Sequence, residues 1–194
     1  GAVMILEDDL YVSPDYYDYA MKMLEKYGNH PKIAGISLNT KRELLESVYP
    51  FFALHNGYDI FFQQFATSWG QVWNARMWKE FREWYDGHPE LPWHKDVPEV
   101  VLNYPKTSWA KFYQTYIVDK DKYFVYSYDS LTTNFGDAGQ HFEGASSSFQ
   151  SVLFYGKKDY RQEKYGIMYR ICHYSVHPDV SSVLDRRDQL KNRA

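Results

Sequence analysis

Cysteine is nearly absent from this sequence: Cys172 stands alone among 194 residues. No internal disulfide can form, and a reducing compartment is the natural setting. Long apolar runs are missing too, since none approaches the roughly 18 residues that a membrane span requires. The short apolar run at the start has no basic flank and stops at Glu7, so no signal peptide is expected. A cytoplasmic location follows as the expectation, with a membrane-associated partner left open. There is no excess of positive charge either: 22 basic residues against 25 acidic ones give a net charge of −3. A nucleic-acid binder needs a basic surface to neutralise phosphates, so that class is set aside. The chain also lacks a glycine-rich phosphate loop of standard spacing, a Gly-x-Ser-x-Gly nucleophile turn and any internal repeat.

What is present points to one globular domain with a sizeable core. Hydrophobic residues make up 44% and charged residues 24%, an ordinary balance for such a domain. Aromatics are abundant, with 19 Tyr, 12 Phe and 6 Trp. Such rings can stack on the apolar faces of sugars, or simply fill a core with tyrosine hydroxyls at its margin.

Residues 2–6, Ala-Val-Met-Ile-Leu, form a continuous apolar run expected as a strand buried on both faces of a parallel or mixed sheet. Ser13-Pro14-Asp15 reads as a helix start, with Ser13 as N-cap and Pro14 in the first helical position. Tyr17, Ala20, Met21 and Leu24 keep helical spacing, and Gly28 is the expected C-cap. Residues 32–37 follow as a strand, completing an α/β unit. Further strands are expected near residues 59–62 and 123–127. Helices are expected from Asn74 to about Tyr85, with Trp78, Phe81 and Tyr85 on one face, and after Ser108, with Trp109, Phe112, Tyr113, Tyr116 and Ile117 apolar. Residues 87–105 hold four of the eight prolines and read as a long loop, as do residues 133–148. The domain is expected to span residues 1–184, followed by a charged tail, 185–194.

Chemistry concentrates at Glu7-Asp8-Asp9, where the first strand ends. Open α/β sheets bind ligands at the carboxyl ends of their strands. Three adjoining carboxylates repel one another unless a cation offsets them, and Mg²⁺ or Mn²⁺ suits oxygen ligands that also bridge to phosphates. A merely solvated acidic turn is the other reading, and residue type alone leaves both open.

The segment VMILEDDLYVSPDYYDYAMKMLEKY, followed by KIAGISLN, resembles the metal-binding segment of GT-A fold glycosyltransferases. The likeness is to the group with a Glu-Asp-Asp version of the Asp-x-Asp motif, N-acetylglucosaminyltransferase I-like enzymes and related bacterial sugar transferases. ATSWGQVWNARMW (residues 66–78) resembles their Trp-Gly acceptor-side segment. SWAKFYQTYIVDKDKYFVYSYDSLTTNFGDAGQHF (residues 108–142) resembles their catalytic helix, following strand and loop. The resemblance implies an α/β fold, the C-terminal part of a GT-A mixed sheet flanked by helices, with the nucleotide-binding half expected upstream of residue 1. It implies sugar transfer from a nucleotide-diphospho-sugar, a uridine diphosphate donor on family grounds, to a glycan hydroxyl. Asp9 would be the metal ligand, for Mn²⁺ or Mg²⁺. Glu7 and Asp8 would meet the donor's sugar-ribose part or bound water, Trp69 and Gly70 would wall the transferred sugar, and His141 would close over the diphosphate.

One position departs from the family pattern. Inverting members carry a carboxylate just after the tryptophan of the catalytic helix as general base, and here that position is Ala110, followed by Lys111. Alanine cannot accept a proton and lysine is normally protonated. Asp96, Glu99 and Asp137 are the substitute candidates. A retaining mechanism, or a degenerate or truncated homologue that binds carbohydrate or a partner without turnover, would remove the need for a base. Cys172-His173 does not make a nucleophile pair, because adjacent residues on a strand point to opposite faces. His173 and His177 would share a helix face, although Pro178 disfavours helix at His177. A C-terminal histidine that completes the metal site in related enzymes keeps both as minor candidates. A sheet cut at its first strand would expose an edge, so a homodimer through that edge is expected.

Overall fold

The computed structural model describes residues 1–41, 51–136, 150–162, 168–172 and 175–179, with backbone alone from residue 170 onward. The candidates Asp137, His141 and His173 and the tail 185–194 lie outside the described residues.

The chain is α/β, built on a seven-stranded mixed sheet. Its strands are β1 (Ala2–Ile5), β3 (Ile33–Ser37), β4 (Ile60–Gln63), β5 (Gln71–Asn74), β6 (Tyr123–Ser127), β8 (Met168–Cys172) and β9 (Ser175–Asp179). Their order across the sheet is β1-β5-β3-β6-β4-β8-β9. The pairs β3/β6 and β4/β8 are parallel and the others antiparallel. A separate two-stranded ribbon joins β2 (Leu10–Val12) to β7 (Thr132–Asn134).

Helix α1 (Tyr16–Tyr27) covers one face, where Tyr27 meets Phe62 edge-on. Helices α2 (Ala75–Asp86) and α4 (Trp109–Asp119) cover the other, where Tyr113 meets Phe124 in the same way. The register explains this division. Phe62 pairs with Val125 and Gln63 with Phe124, and directly opposed residues share a face. Many of the aromatics are core: Tyr19, Tyr113, Tyr116, Tyr123, Phe61, Phe62 and Phe124 are all buried. Buried tyrosines keep their hydroxyls paired where they can, as Tyr113 does with the Ala34 carbonyl at 2.8 Å.

Several sequence expectations need correction. The run of residues 2–6 forms a strand, but one at the sheet margin. Val3 is 59% exposed and Ile5 38%, because β5 pairs with β1 on one side only. Ser13 starts the first turn by accepting the Asp15 N–H on its hydroxyl, yet the helix proper opens at Tyr16 with Asp15 as N-cap. In α2 the buried face is Met77, Phe81 and Trp84, one position round from the expected one, and Trp78 lies exposed against Trp73. Asn74 does cap α2, accepting from Met77 at 3.0 Å. The proline-rich stretch contains a one-turn helix, α3 (Glu99–Leu102). Residues 175–179 are strand, so the helical face proposed for His177 does not exist.

Two ionic clusters tie the layers together. At the amino ends of β3 and β6, Arg76 bonds the carbonyls of Gly28, His30 and Ile33 while pairing with Glu80, which also takes Lys122. Along the α1 face, residues 150–162 form a strap. Lys158 pairs with Asp59 and Asp129, Arg161 with Asp59, and Lys157 with Asp15 and Asp18. The strap also braces β7: Phe154 donates to the Ser130 carbonyl and Ser151 to the Thr133 hydroxyl.

Burial of Asp59 opposes its charge, but Arg161 and Lys158 more than offset this and hold its carboxyl down at about 2. That lies below the ordinary value of about 3.9 for an unfolded chain. The stabilisation is therefore complete above about pH 4 and fades as pH falls towards the folded value. Asp59→Asn should cost about 2 kcal/mol at neutral pH. The gap to wild type should narrow in acid, as read by urea denaturation at stepped pH. A constant gap from neutral pH down to the acid limb would show that the charge is not what holds the strap.

Candidate functional site

The acidic turn lies at the carboxyl end of β1. Ile5 pairs with Gln71 and Ser37 pairs with Gln71 from the other side, so the carboxyl ends of β1 and β3 and the start of β5 form one rim. Because β6 runs parallel to β3, Ser127 and the residues after it reach the same rim. Helix α4 runs back against β6, joined by the tight turn at Asp121, and so presents its amino end with Ala110 on this side.

Asp9 is the fixed member of the turn. Its backbone carbonyl accepts the Phe135 N–H at 2.9 Å, extending the β2/β7 ladder by one step. Its Oδ2 accepts from the Asn134 side-chain amide at 2.7 Å. Asn134 is pinned in turn, its own Oδ1 taking the Gly136 N–H at 2.6 Å. The second carboxylate oxygen of Asp9, Oδ1, is buried without a hydrogen-bond partner. A buried carboxylate oxygen left unpaired is costly, and a ligand's positive charge or donor would relieve that cost. Glu7 is half-buried and Asp8 exposed beside it. Among the described residues no three metal-ligating side chains converge.

Next along the rim stand Trp69 and Gly70. The Trp69 carbonyl accepts from the Thr132 hydroxyl at 2.6 Å, and the Lys41 ammonium sits 3.7 Å from the centre of its ring. Gly70 has φ of +103°, where a side chain is strained, and a Cβ there would stand 2.9 Å from the Leu38 Cβ. Behind them Asn39 is fully buried. It donates to the Thr132 carbonyl at 3.0 Å and leaves its Oδ1 unpartnered, as Gln71 does its Oε1.

The base candidates in the described part lie elsewhere. Asp96 is in the segment passing the carboxyl end of α4, where its neighbour Val97 packs with Val118. Glu99 is exposed on the first turn of α3, whose neighbour Val101 packs with Val97 and Val118. The fold thus sets both behind α4, towards the end away from the acidic turn. Lys111 is buried, and its ammonium donates to the carbonyls of Leu102 at 3.1 Å and Tyr104 at 3.0 Å. With its head group donating to both carbonyls, Lys111 works as a brace for the segment that contains α3.

Sequence reasoning gave no role to Asn134, although an amide opposite an acidic turn is the sort of group that fixes a carboxylate. Nor did it single out Lys41, His55 or Tyr128, which line a pocket further along the rim. Nothing in their local spacing marks them. No helix among the described residues is long and apolar enough to cross a membrane. Comparison with protein-family models finds no match, and comparison with curated proteins finds none either.

Proposed function

We propose that this chain is the metal-binding and acceptor side of a glycosyltransferase that moves a sugar from a uridine-diphosphate donor to a glycan hydroxyl. The observation carrying this reading is Asp9: a carboxylate at a strand end, clamped by Asn134 through one oxygen, with the other buried and unpaired. Hard oxygen donors suit Mn²⁺ or Mg²⁺. Asp9 is the side chain that would hold such an ion, and among the described residues no three ligating side chains converge to hold one by themselves. When bound there, such an ion supplies positive charge for the departing diphosphate. Glu7 and Asp8 flank Asp9 where the donor's ribose and sugar would lie, and Trp69 and Gly70 form the adjoining wall.

The test is a calorimetric titration of Mn²⁺ and uridine diphosphate, separately and together, against the folded chain. Binding that requires both ligands supports the reading. Absence of binding in protein that is folded by circular dichroism overturns it.

A second reading, carbohydrate binding without transfer, draws on Ala110 at the amino end of α4 and on the bracing role of Lys111. It predicts glycan binding that needs neither metal nor nucleotide. Cytoplasmic residence belongs to both readings and rests on the single cysteine.

Self-association is proposed through β1. Its outer edge has no strand partner among the described residues, and Val3 and Ile5 are exposed along it. Such an edge pairs readily with a like edge, antiparallel about a two-fold axis. Light scattering should give twice the chain mass, and Met4→Pro, which removes a backbone donor and disfavours strand pairing, should give the monomer. A monomeric wild type removes the proposal.

A further inference from the structure

The rim carries a concavity whose lining does not include Asp9. It encloses about 210 Å³ and is lined by Thr40, Lys41, Phe51, His55, Phe61 and Tyr128 among others. Its walls come from four places: the chain after β3, residues 51–56, the start of β4 and the end of β6. The outer wall is built from residues 51–56 and is fastened at Leu54. There the N–H donates to the Tyr169 hydroxyl at 2.6 Å and the carbonyl accepts from the Tyr128 hydroxyl at 2.5 Å. The two tyrosines thus hold both backbone groups of one residue.

The aromatic groups are arranged as planes. His55 stacks on Tyr128 with centroids 4.3 Å apart and planes 21° apart. Phe61 lies 5.1 Å from Tyr128, and Phe51 stands edge-on to Tyr169 at 5.1 Å. Core rings are normally covered by other side chains, whereas here His55 and Phe52 remain exposed at the mouth. Lys41 belongs to both places, lining this pocket and capping the Trp69 ring. From Trp69 the hydrogen-bonded path continues through Thr132 to β7, whose Asn134 holds Asp9.

We propose that this pocket is a sugar-ring subsite, taking one pyranose of the acceptor glycan against the exposed His55 ring, which Tyr128 backs. The inference rests on the glycosyl-transfer reading for the word acceptor, but the site itself does not require it. A pyranose has an apolar face of C–H groups, slightly positive, that suits the negative face of an aromatic ring. Its hydroxyls lie around the edge, where Lys41 and the imidazole of His55 stand. Aromatic faces and polar groups share the walls of this concavity, which suits a ligand with one apolar face and a hydroxylated edge. A flat aromatic ligand would gain from the same planes, but would leave the polar rim unused. Lys41 lines the pocket and sits on the Trp69 ring, so a glycan seated here can extend along the rim towards the wall proposed for the transferred sugar.

The experiment is saturation-transfer NMR on the full chain with methyl glucoside, galactoside, mannoside and N-acetylglucosaminide, without metal or nucleotide. Transfer should reach the ring C–H protons of at least one of them. His55→Ala, at an exposed position, and Tyr128→Leu, with folding checked by melting temperature, should each weaken it by about fivefold, the scale of one lost aromatic contact. Tyr128→Phe, which keeps the ring, should retain most of it. Asp9→Ala should leave pyranoside binding unchanged, and this arm separates the two ideas. Loss of metal and uridine-diphosphate binding alone concerns the donor site, and pyranoside transfer alone concerns this pocket. No transfer from any of the four sugars to folded wild type, or transfer undiminished in both His55→Ala and Tyr128→Leu, would overturn the inference.

Discussion

Asp9→Ala should lose metal-dependent binding of uridine diphosphate by at least about 100-fold, the scale at which ligand and supporting residues of metal sites act. The side chain contributes one hydrogen bond to the fold, from Asn134. Its removal should cost stability only about 1–2 kcal/mol. The ribbon that carries the turn survives, because the Asp9 carbonyl still takes the Phe135 N–H and the β2/β7 pairs are intact. Asp9→Asn is the sharper control. It keeps the shape and an acceptor for Asn134 but removes the charge, so it should melt like wild type and still fail to bind. Asn134→Ala leaves the carboxylate present but unclamped, and an intermediate loss of about 10–100-fold is expected. Calorimetry with Mn²⁺ and uridine diphosphate reads all three. If Asp9→Asn binds as well as wild type, the unpaired oxygen is not a ligand contact and the proposed donor site is wrong.

Gly70→Ala should be among the most damaging single methyl additions, at about 2–4 kcal/mol. Two terms add. The backbone at φ +103° is strained for any L side chain, costing at least about 1–2 kcal/mol. The new Cβ would also meet the Leu38 Cβ at 2.9 Å and the Thr132 Cγ2 at 3.2 Å, overpacking that costs about 1–3 kcal/mol. Leu38 is buried and Thr132 sits in β7, so neither can step aside without disturbing the rim. The Leu38 N–H donates to the Gly70 carbonyl at 3.0 Å, which couples the strain directly to the end of β3. For a chain of this length the melting temperature should fall by roughly 5–12 °C. Donor binding, measured below the transition, should weaken as well, since the Trp69 carbonyl is held by the same Thr132. A melting point within a degree or two of wild type would show that the turn tolerates a side chain, leaving the resemblance alone to support a role for Gly70.

Much of the α/β frame is legible from local pattern. β3, β4 and β6 lie where apolar runs end at turn residues, and α1, α2 and α4 where apolar spacing follows a cap such as Asn74. These signals are local, set by propensity and side-chain period, so a linear reading reaches them. Short strands were harder. β2, β5 and β7 have three or four residues each and read no differently from loop until a partner is known. The burial of β1 is not legible in the run itself for a related reason. An apolar run specifies a strand, but whether that strand is central or marginal depends on which neighbours pair with it.

The candidate site divides in the same way. Sequence by itself determined that carboxylates cluster at the end of the first strand, that alanine follows Trp109 in the helical segment after Ser108, and that aromatic rings are plentiful. Those are matters of residue identity and order. Tertiary structure alone decided that Asn134, 125 residues away, clamps Asp9, that Lys111 is a brace, and that Asp96 and Glu99 are carried behind α4. It also decided which rings were left uncovered, bringing His55 onto Tyr128 at the mouth of a pocket. The physical reason is that hydrogen bonds and ring contacts act over a few ångströms, while the chain separations that bring these partners together are set by sheet order and register.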